Sequence, residues 1–96
     1  MRKTKRNSPS GGDRREVVSP DGVLVFVLKK ASAGVHVERR QQVKHGARTG
    51  VASVLTLFAN ELAFVRFCES DALRFEYPLT YAQLLREFDD LLDHSA

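Results

Sequence analysis

The side chains that most often perform acid–base or nucleophilic chemistry are few in this chain and lie far apart. The histidines are His36, His45 and His94, and the one cysteine is Cys68. No histidine stands at a spacing from Cys68 or from a serine that is typical of a nucleophile pair, and none belongs to a metal-ligand motif. We interpret His36, which alternates with apolar neighbours, as a surface residue and Cys68 as a small core residue. The sequence therefore predicts no catalytic residues, and we expect a protein that is not an enzyme.

Three carboxylates near the end of the chain could in principle hold a cation. They are Asp89, Asp90 and Asp93, within a segment of helical periodicity. A calcium loop needs a glycine at its turn and oxygen ligands at alternating positions, which this segment lacks. A solvated acidic helix face fits the pattern better. We predict no metal site and no small-molecule cofactor.

The distribution of charge is the strongest functional signal in the sequence. Residues 1–49 hold 12 lysines and arginines against 4 acids, a net charge of +8, whereas residues 50–96 hold 3 against 8, a net charge of −5. The two halves together give the overall charge of +3. A basic half of this kind is typical of a chain that meets a polyanion. Nucleic acid is accordingly the predicted partner.

The basic residues of the first half form three groups that we predict to bind phosphates. They are Arg2, Lys3, Lys5, Arg6, Arg14 and Arg15 in and after the tail, Lys29 and Lys30 at a strand end, and Arg39, Arg40, Lys44 and Arg48 further on. The segment around Lys44 and Arg48 contains two glycines, which let backbone amides approach a phosphate. It does not match the Walker or dinucleotide-binding fingerprints. Phosphate contact without sequence readout is the function that these groups favour.

Composition predicts a disordered basic tail over residues 1–13 and one α+β domain over residues 14–96. The tail has no large apolar residue after Met1 and cannot offset the entropy of becoming ordered. A domain this small buries a thin core, so we predict a homodimer. A single cysteine fits a reducing cytoplasm. The longest apolar run, residues 23–28, holds six residues, too few to cross a membrane.

Turn residues and alternation place the first strands. Residues 19–22, with sequence SPDG, predict a turn between two strands. Residues 23–28 are apolar on both faces, which indicates a strand that is central or else buried by a second layer or subunit. Residues 31–34 form a small-residue turn, and residues 35–41 alternate as a half-exposed strand. We predict a loop over residues 42–50, because this stretch has no period and contains two glycines.

Residues 51–58 fit either a strand or a helix, and register favours the strand. If residues 59–60 and 70–71 are two-residue turns, residues 51–77 form a three-stranded antiparallel meander with one nearly continuous apolar face. The opposite face then carries Phe67 beside Arg74, where the ring could stack on a base. The alternative for that face is a dimer surface or a second core layer.

The last segment predicts an amphipathic helix over residues 80–93. Thr80 and Gln83 match a capping box, and Leu79 and Leu84 match a hydrophobic staple. One apolar stripe recurs at helical spacing, consisting of Tyr81, Leu84, Leu85, Phe88, Leu91 and Leu92. The predicted fold is therefore α+β, with an antiparallel sheet of about five to six strands followed by this one helix.

The order of a basic tail, several strands and one helix is similar to that of some dimeric single-stranded-DNA-binding proteins of the coactivator type. This resemblance of element order implies nucleic-acid binding. Our leading hypothesis is a non-enzymatic accessory or regulatory protein that contacts nucleic-acid phosphates through its basic half. The alternative hypothesis is a homo-oligomeric adaptor that binds protein partners through exposed apolar sheet faces.

Overall fold

One antiparallel sheet and one layer of helices make up the part of the protein that the structure describes. The computed structural model describes residues 13–93, so the predicted disordered tail lies outside the described residues except for Asp13. The elements are β1 (Arg14–Val18), β2 (Leu24–Ala31), β3 (Gly34–His45), β4 (Arg48–Phe58), α1 (Glu61–Glu69), a 3₁₀ helix (Ala72–Phe75) and α2 (Pro78–Asp93). The strands lie in the order β1-β2-β3-β4. The α+β class is confirmed.

Residues 19–22 form the predicted turn between β1 and β2. The amide of Gly22 donates to the carbonyl of Ser19 at 2.9 Å. The Asp21 carboxylate accepts from the Ser19 hydroxyl at 2.7 Å and from the Val23 amide at 3.1 Å. All of these hydrogen bonds join residues in or next to the turn. The local sequence is therefore enough to predict it.

The turn between β2 and β3 depends on Gly34. Gly34 has a φ of 147°, which residues other than glycine rarely adopt. Gly34 is also buried against the end of β4. A Cβ atom built at Gly34 would lie 2.2 Å from the carbonyl oxygen of Phe58. Only a residue without a side chain allows β3 and β4 to approach this closely.

The predicted loop over residues 42–50 is wrong, because the end of β3 and the start of β4 occupy most of it. β3 ends at His45 and β4 begins at Arg48, so residues 46 and 47 form a two-residue hairpin turn. Gly46 has a φ of 65°, as such turns require. Lys44 lies opposite Thr49 and Val43 opposite Gly50, so this segment belongs to the sheet. The strand predicted over residues 51–58 is confirmed as part of β4.

The predicted meander over residues 51–77 is also wrong beyond its first strand. Residues after β4 form α1 and the 3₁₀ helix, so the sheet has four strands and not five or six. Asn60 starts α1, because its side-chain oxygen accepts the amide of Ala63 at 2.9 Å. Phe64 and Cys68, four residues apart, then lie buried on one face of the helix.

α2 covers the sheet and closes the core. It begins at Pro78, so Thr80 lies inside the helix and Leu79 is 84% exposed; the predicted capping box and staple do not form. The predicted apolar stripe is confirmed. The core consists of Val17, Leu24, Phe26, Leu28, Val35, Val37, Phe58, Phe64, Cys68, Tyr81, Leu84, Phe88 and Leu91. Within residues 13–93, no helix has the length and apolar character needed to cross a membrane.

Candidate nucleic-acid interface

Strand alternation divides the predicted phosphate-binding residues between the two faces of the sheet. The basic doublets Arg14-Arg15, Lys29-Lys30 and Arg39-Arg40 all lie within strands. Successive residues of a strand point to opposite faces, so each doublet sends one side chain toward the helices and one away from them. We call the side without helices the open face. The doublets therefore contribute to two different environments.

The side chains of Arg15 and Lys30 are held by α2. Arg15 Nη1 lies 3.0 Å from Glu87 Oε1 and 2.8 Å from Asp90 Oδ2. Lys30 Nζ donates to the carbonyl oxygen of Leu92 at 3.1 Å, near the end of α2. A cation at a helix C-terminus is stabilised by the helix dipole. These two residues fasten α2 to the sheet and are not free to bind phosphates.

Arg39 belongs to a polar network on the helix side. Its Nε donates to Asp71 Oδ2 at 2.7 Å and its Nη2 to Asp71 Oδ1 at 3.3 Å, and the Tyr81 hydroxyl donates to the same carboxylate at 2.6 Å. Burial alone would raise the pKa of Asp71, but the hydrogen bonds from Tyr81 and Arg39 outweigh it and hold the pKa below its ordinary value of 3.8. Arg39 is thus a structural residue.

We expect the Arg39→Ala variant to lose about 2 kcal/mol of unfolding free energy, because it leaves a partly buried carboxylate without its cation. Arg40→Ala is the matched control, since Arg40 is exposed and the loss there should stay below about 1 kcal/mol. Urea denaturation followed by circular dichroism measures both.

The effect of Arg39 should depend on pH in one direction. Because the folded pKa of Asp71 is lowered, its ionised form contributes stability above its ordinary pKa of 3.8, and this contribution is lost as the pH falls through the folded pKa. The difference between wild type and Arg39→Ala should therefore shrink in acid. Equal losses for Arg39→Ala and Arg40→Ala at neutral pH would contradict this role.

The open face collects four of the predicted residues. Arg14, Lys29, Arg40 and Lys44 are all exposed and lie on it. Arg14 pairs across the strands with Lys29, and Lys29 pairs in turn with His36. Directly paired residues of neighbouring strands lie about 5 Å apart, so the cations Arg14 and Lys29 lie side by side at the end of the sheet, next to His36.

Acidic residues on the open face offset part of this charge. Arg14 lies 3.3 Å from Glu16, and Arg40 lies 3.0 Å from Glu38. Hydrogen bonds from Arg40 and Ser53 lower the pKa of Glu38. Exposed pairs of this kind contribute little and exchange readily for other partners. Four cations against two carboxylates leave the open face positively charged.

Two further predicted residues, Arg48 and Arg74, lie apart from the open face. Arg48 pairs with His45 at the tip of the β3–β4 hairpin and points to the helix side of the sheet. Arg74 lies in the 3₁₀ helix, with its guanidinium carbon 4.2 Å from the centre of the Phe75 ring. The predictions for Arg2, Lys3, Lys5 and Arg6 fall outside the described residues.

Phe67 does not lie on a sheet face beside Arg74, because the meander that would place it there does not form. It belongs to α1, and its ring is 5.1 Å from that of Phe58 and 6.0 Å from that of Phe64. These contacts make Phe67 part of the edge of the core. Phe67 is partly buried there, so only part of its ring is exposed for stacking on a base.

The residues that could have performed other chemistry have structural positions. Cys68 is buried, and burial raises the pKa of its thiol to about 12. Within residues 13–93, no three His, Cys, Asp or Glu side chains are arranged to hold a metal ion. His36 is exposed on the open face, in agreement with its predicted surface position.

The comparisons with known proteins give no relative for this chain. No family model, no curated protein and no solved structure matches it.

Proposed function

We propose that this protein binds nucleic-acid phosphates through the open face of its sheet. The observation that carries the proposal is the division of the basic residues. Arg15, Lys30 and Arg39 are held by the helices and the loop before the 3₁₀ helix, whereas Arg14, Lys29, Arg40 and Lys44 stand exposed on the face that no helix covers. Arg14 and Arg40 are paired only with acids on the same exposed face, and such exposed pairs exchange readily for an external anion.

The composition of the open face favours contact with phosphates over contact with bases. Among the strand residues of this face, the structure places no Phe or Tyr, and His36 is the one aromatic ring. Stacking on bases normally supplies much of the affinity of single-strand binders. Long, flexible cations without stacking rings therefore support binding that is independent of sequence. This makes an accessory or regulatory role the most natural one, as opposed to a sequence-specific repressor.

A salt-series titration tests the proposal directly. Neutralising about five phosphates gives a log–log slope of affinity against salt of roughly −4.5 on duplex DNA and about −3.5 on single strands. We expect slopes near these values and little difference between sequences of the same length. Fluorescence anisotropy with labelled duplex and single-stranded DNA and RNA measures them.

A charge-matched pair of variants assigns the binding to the open face. Lys29→Glu with Arg40→Glu should weaken binding roughly tenfold or more and flatten the slope, because phosphate contacts are lost. Arg66→Glu with Arg86→Glu changes the net charge by the same amount on exposed helix positions and should have a much smaller effect. Equal weakening by both pairs would mean that net charge alone attracts the polyanion, and the open-face site would be wrong.

A second candidate function, a homo-oligomeric adaptor for protein partners, is favoured by exposed aliphatic side chains on β4. Val51, Leu55 and Leu57 are 63%, 67% and 45% exposed. Exposed apolar residues that cluster on one element often mark a protein contact. If the wild-type protein binds no nucleic acid at low salt, this function replaces the first.

A further inference from the structure

β4 is an edge strand that lacks the usual protection against pairing. It is the last strand in the sheet, and it holds four of the eight large apolar residues that are exposed within residues 13–93: Val51, Val54, Leu55 and Leu57. Arg48 is its one charged residue, and it contains no lysine and no proline. Edge strands normally carry charges, prolines or bulges because free N–H and C=O groups recruit further strands.

The opposite edge of the sheet has the protection that β4 lacks. β1 is five residues long, against eleven for β4, and it carries Arg14, Arg15 and Glu16. A short, charged edge discourages pairing. The two edges of the sheet thus differ in length and charge. This difference indicates that another chain covers β4.

The free backbone groups of β4 can be identified from the hairpin. The Gln42 amide donates to Val23 at 2.9 Å, so even-numbered residues of β3 bond to β2 and odd-numbered ones bond to β4. Their partners in β4 are even-numbered, as the pairing of His45 with Arg48 shows. Hydrogen-bonded positions alternate along a strand, so odd-numbered residues of β4 direct their N–H and C=O groups to the free edge. These residues are Thr49, Val51, Ser53, Leu55 and Leu57.

We propose that two copies of this chain pair antiparallel through β4, about a two-fold axis at Ser53, to form one eight-stranded sheet. In this register Val51 lies opposite the partner's Leu55, and Thr49 lies opposite the partner's Leu57. It is the register that pairs all five free residues with one another. A shift of one pair in either direction leaves a free residue at an end of the strand unpaired. Pairing of two copies through β4 does not require phosphate binding.

Charge complementarity identifies a second copy as the occupant. The register places Arg48 opposite the partner's Phe58, three residues before the partner's Glu61. Contact with Asp89, together with the nearby Asp93, raises the pKa of Glu61, so carboxylates crowd together there. A cation from the other copy relieves this crowding. The one charged residue of β4 is therefore placed at the cluster that can use it.

The same symmetry explains the uncovered part of the β3–β4 hairpin. Ala52 and Val54 point to the helix side, yet both are exposed because the chain's own helices do not reach them. Antiparallel pairing places α1 of the partner beside these residues, and Leu62 of α1 is 60% exposed. Contact between these apolar side chains adds to the surface that the strand pairing buries. Stable interfaces bury roughly 800 Å² per partner.

Sedimentation tests the dimer without nucleic acid. The wild-type chain should sediment at twice its monomer mass of 10.8 kDa at micromolar concentrations. Val51→Lys with Leu55→Lys should give a monomer, because opposed lysines repel at both positions. Val18→Lys with Leu79→Lys adds the same charge at exposed aliphatic positions away from β4 and should leave the dimer intact.

Cross-linking tests the register. Cα atoms of a hydrogen-bonded antiparallel pair lie about 5.5 Å apart, within reach of a disulfide. Ser53→Cys should therefore form a covalent dimer under mild oxidation. Val51→Cys should not, because two copies of residue 51 are four positions apart along the strands, about 13 Å. The wild-type protein, whose Cys68 is buried, is the blank.

The outcomes separate cleanly. A monomer at high concentration overturns the dimer, and a dimer that survives the double lysine change overturns the β4 edge as its interface. Equal cross-linking by Ser53→Cys and Val51→Cys overturns the register at Ser53. All of these measurements are made without nucleic acid. A failure of the dimer is therefore distinguishable from a failure of phosphate binding.

Discussion

The Phe88→Ala variant is expected to lose about 3–5 kcal/mol of unfolding free energy, the usual range for a buried phenylalanine. Phe88 is fully buried, and its ring stacks on that of Phe64 with centres 4.0 Å apart and planes within 9°. It also meets Phe58 edge-on at 6.2 Å. Removing the ring leaves a cavity where the two helices meet the sheet. Since small domains have only about 5–15 kcal/mol in total, much of the fold's margin would be lost.

Phe75→Ala is the matched control for this prediction. Phe75 is 74% exposed, and the same change there should cost less than about 1 kcal/mol. Urea denaturation of both variants, followed by circular dichroism, gives the comparison. Similar losses at the two positions would show that the helix layer does not pack as described.

Gly34→Ala is expected to have the second largest effect, roughly 3 kcal/mol. The added Cβ atom meets the Phe58 carbonyl oxygen at 2.2 Å, and the backbone φ of 147° strains any side chain. The neighbouring atom belongs to the backbone, so relief requires β3 and β4 to separate at this end. Chemical denaturation measures the loss.

Gly50→Ala is the corresponding control in β4. A Cβ atom at Gly50 meets nothing within 4 Å, and its backbone conformation is ordinary. We expect a change within about 0.5 kcal/mol, or a small gain from reduced freedom of the unfolded chain. A loss at Gly50 as large as that at Gly34 would contradict the close approach of the strands.

Locally determined elements could be predicted from the sequence. The turn at residues 19–22 is closed by Ser19 and Asp21, which lie within it, and the apolar stripe of α2 is visible from its own spacing. Both signals depend on neighbours in sequence, so no tertiary information is needed. The start of α2 was wrong by two residues, because Thr80 resembles a cap but lies in the core.

The strand predicted within residues 61–69 is wrong because this segment fits two periods. Leu62, Phe64 and Cys68 agree with an alternating strand, and Phe64 and Cys68 agree equally with a helix. The decision comes from Phe88 and Phe58, which receive the Phe64 ring from other elements. Tertiary packing of this kind overrides local preference.

The candidate site was predictable in composition but not in arrangement. The sequence identifies the basic doublets, and once strands are assigned, alternation divides each of them. Which residue of each doublet is exposed depends on which face of the sheet the helices cover. The sequence of β2 does not indicate that face, because β2 is apolar on both faces. The partners Asp71, Glu87 and Asp90 are also distant in sequence from the arginines they bind.

The position of α2 at the end of the described chain has a consequence for synthesis on the ribosome. All four strands pair with their neighbours in sequence, so the sheet can assemble as soon as β4 emerges. Its inner face, with Phe26, Leu28 and Val37, then remains uncovered until residues 78–93 have been translated. A nascent chain halted before that point would expose the surface that aggregates most readily and that chaperones bind.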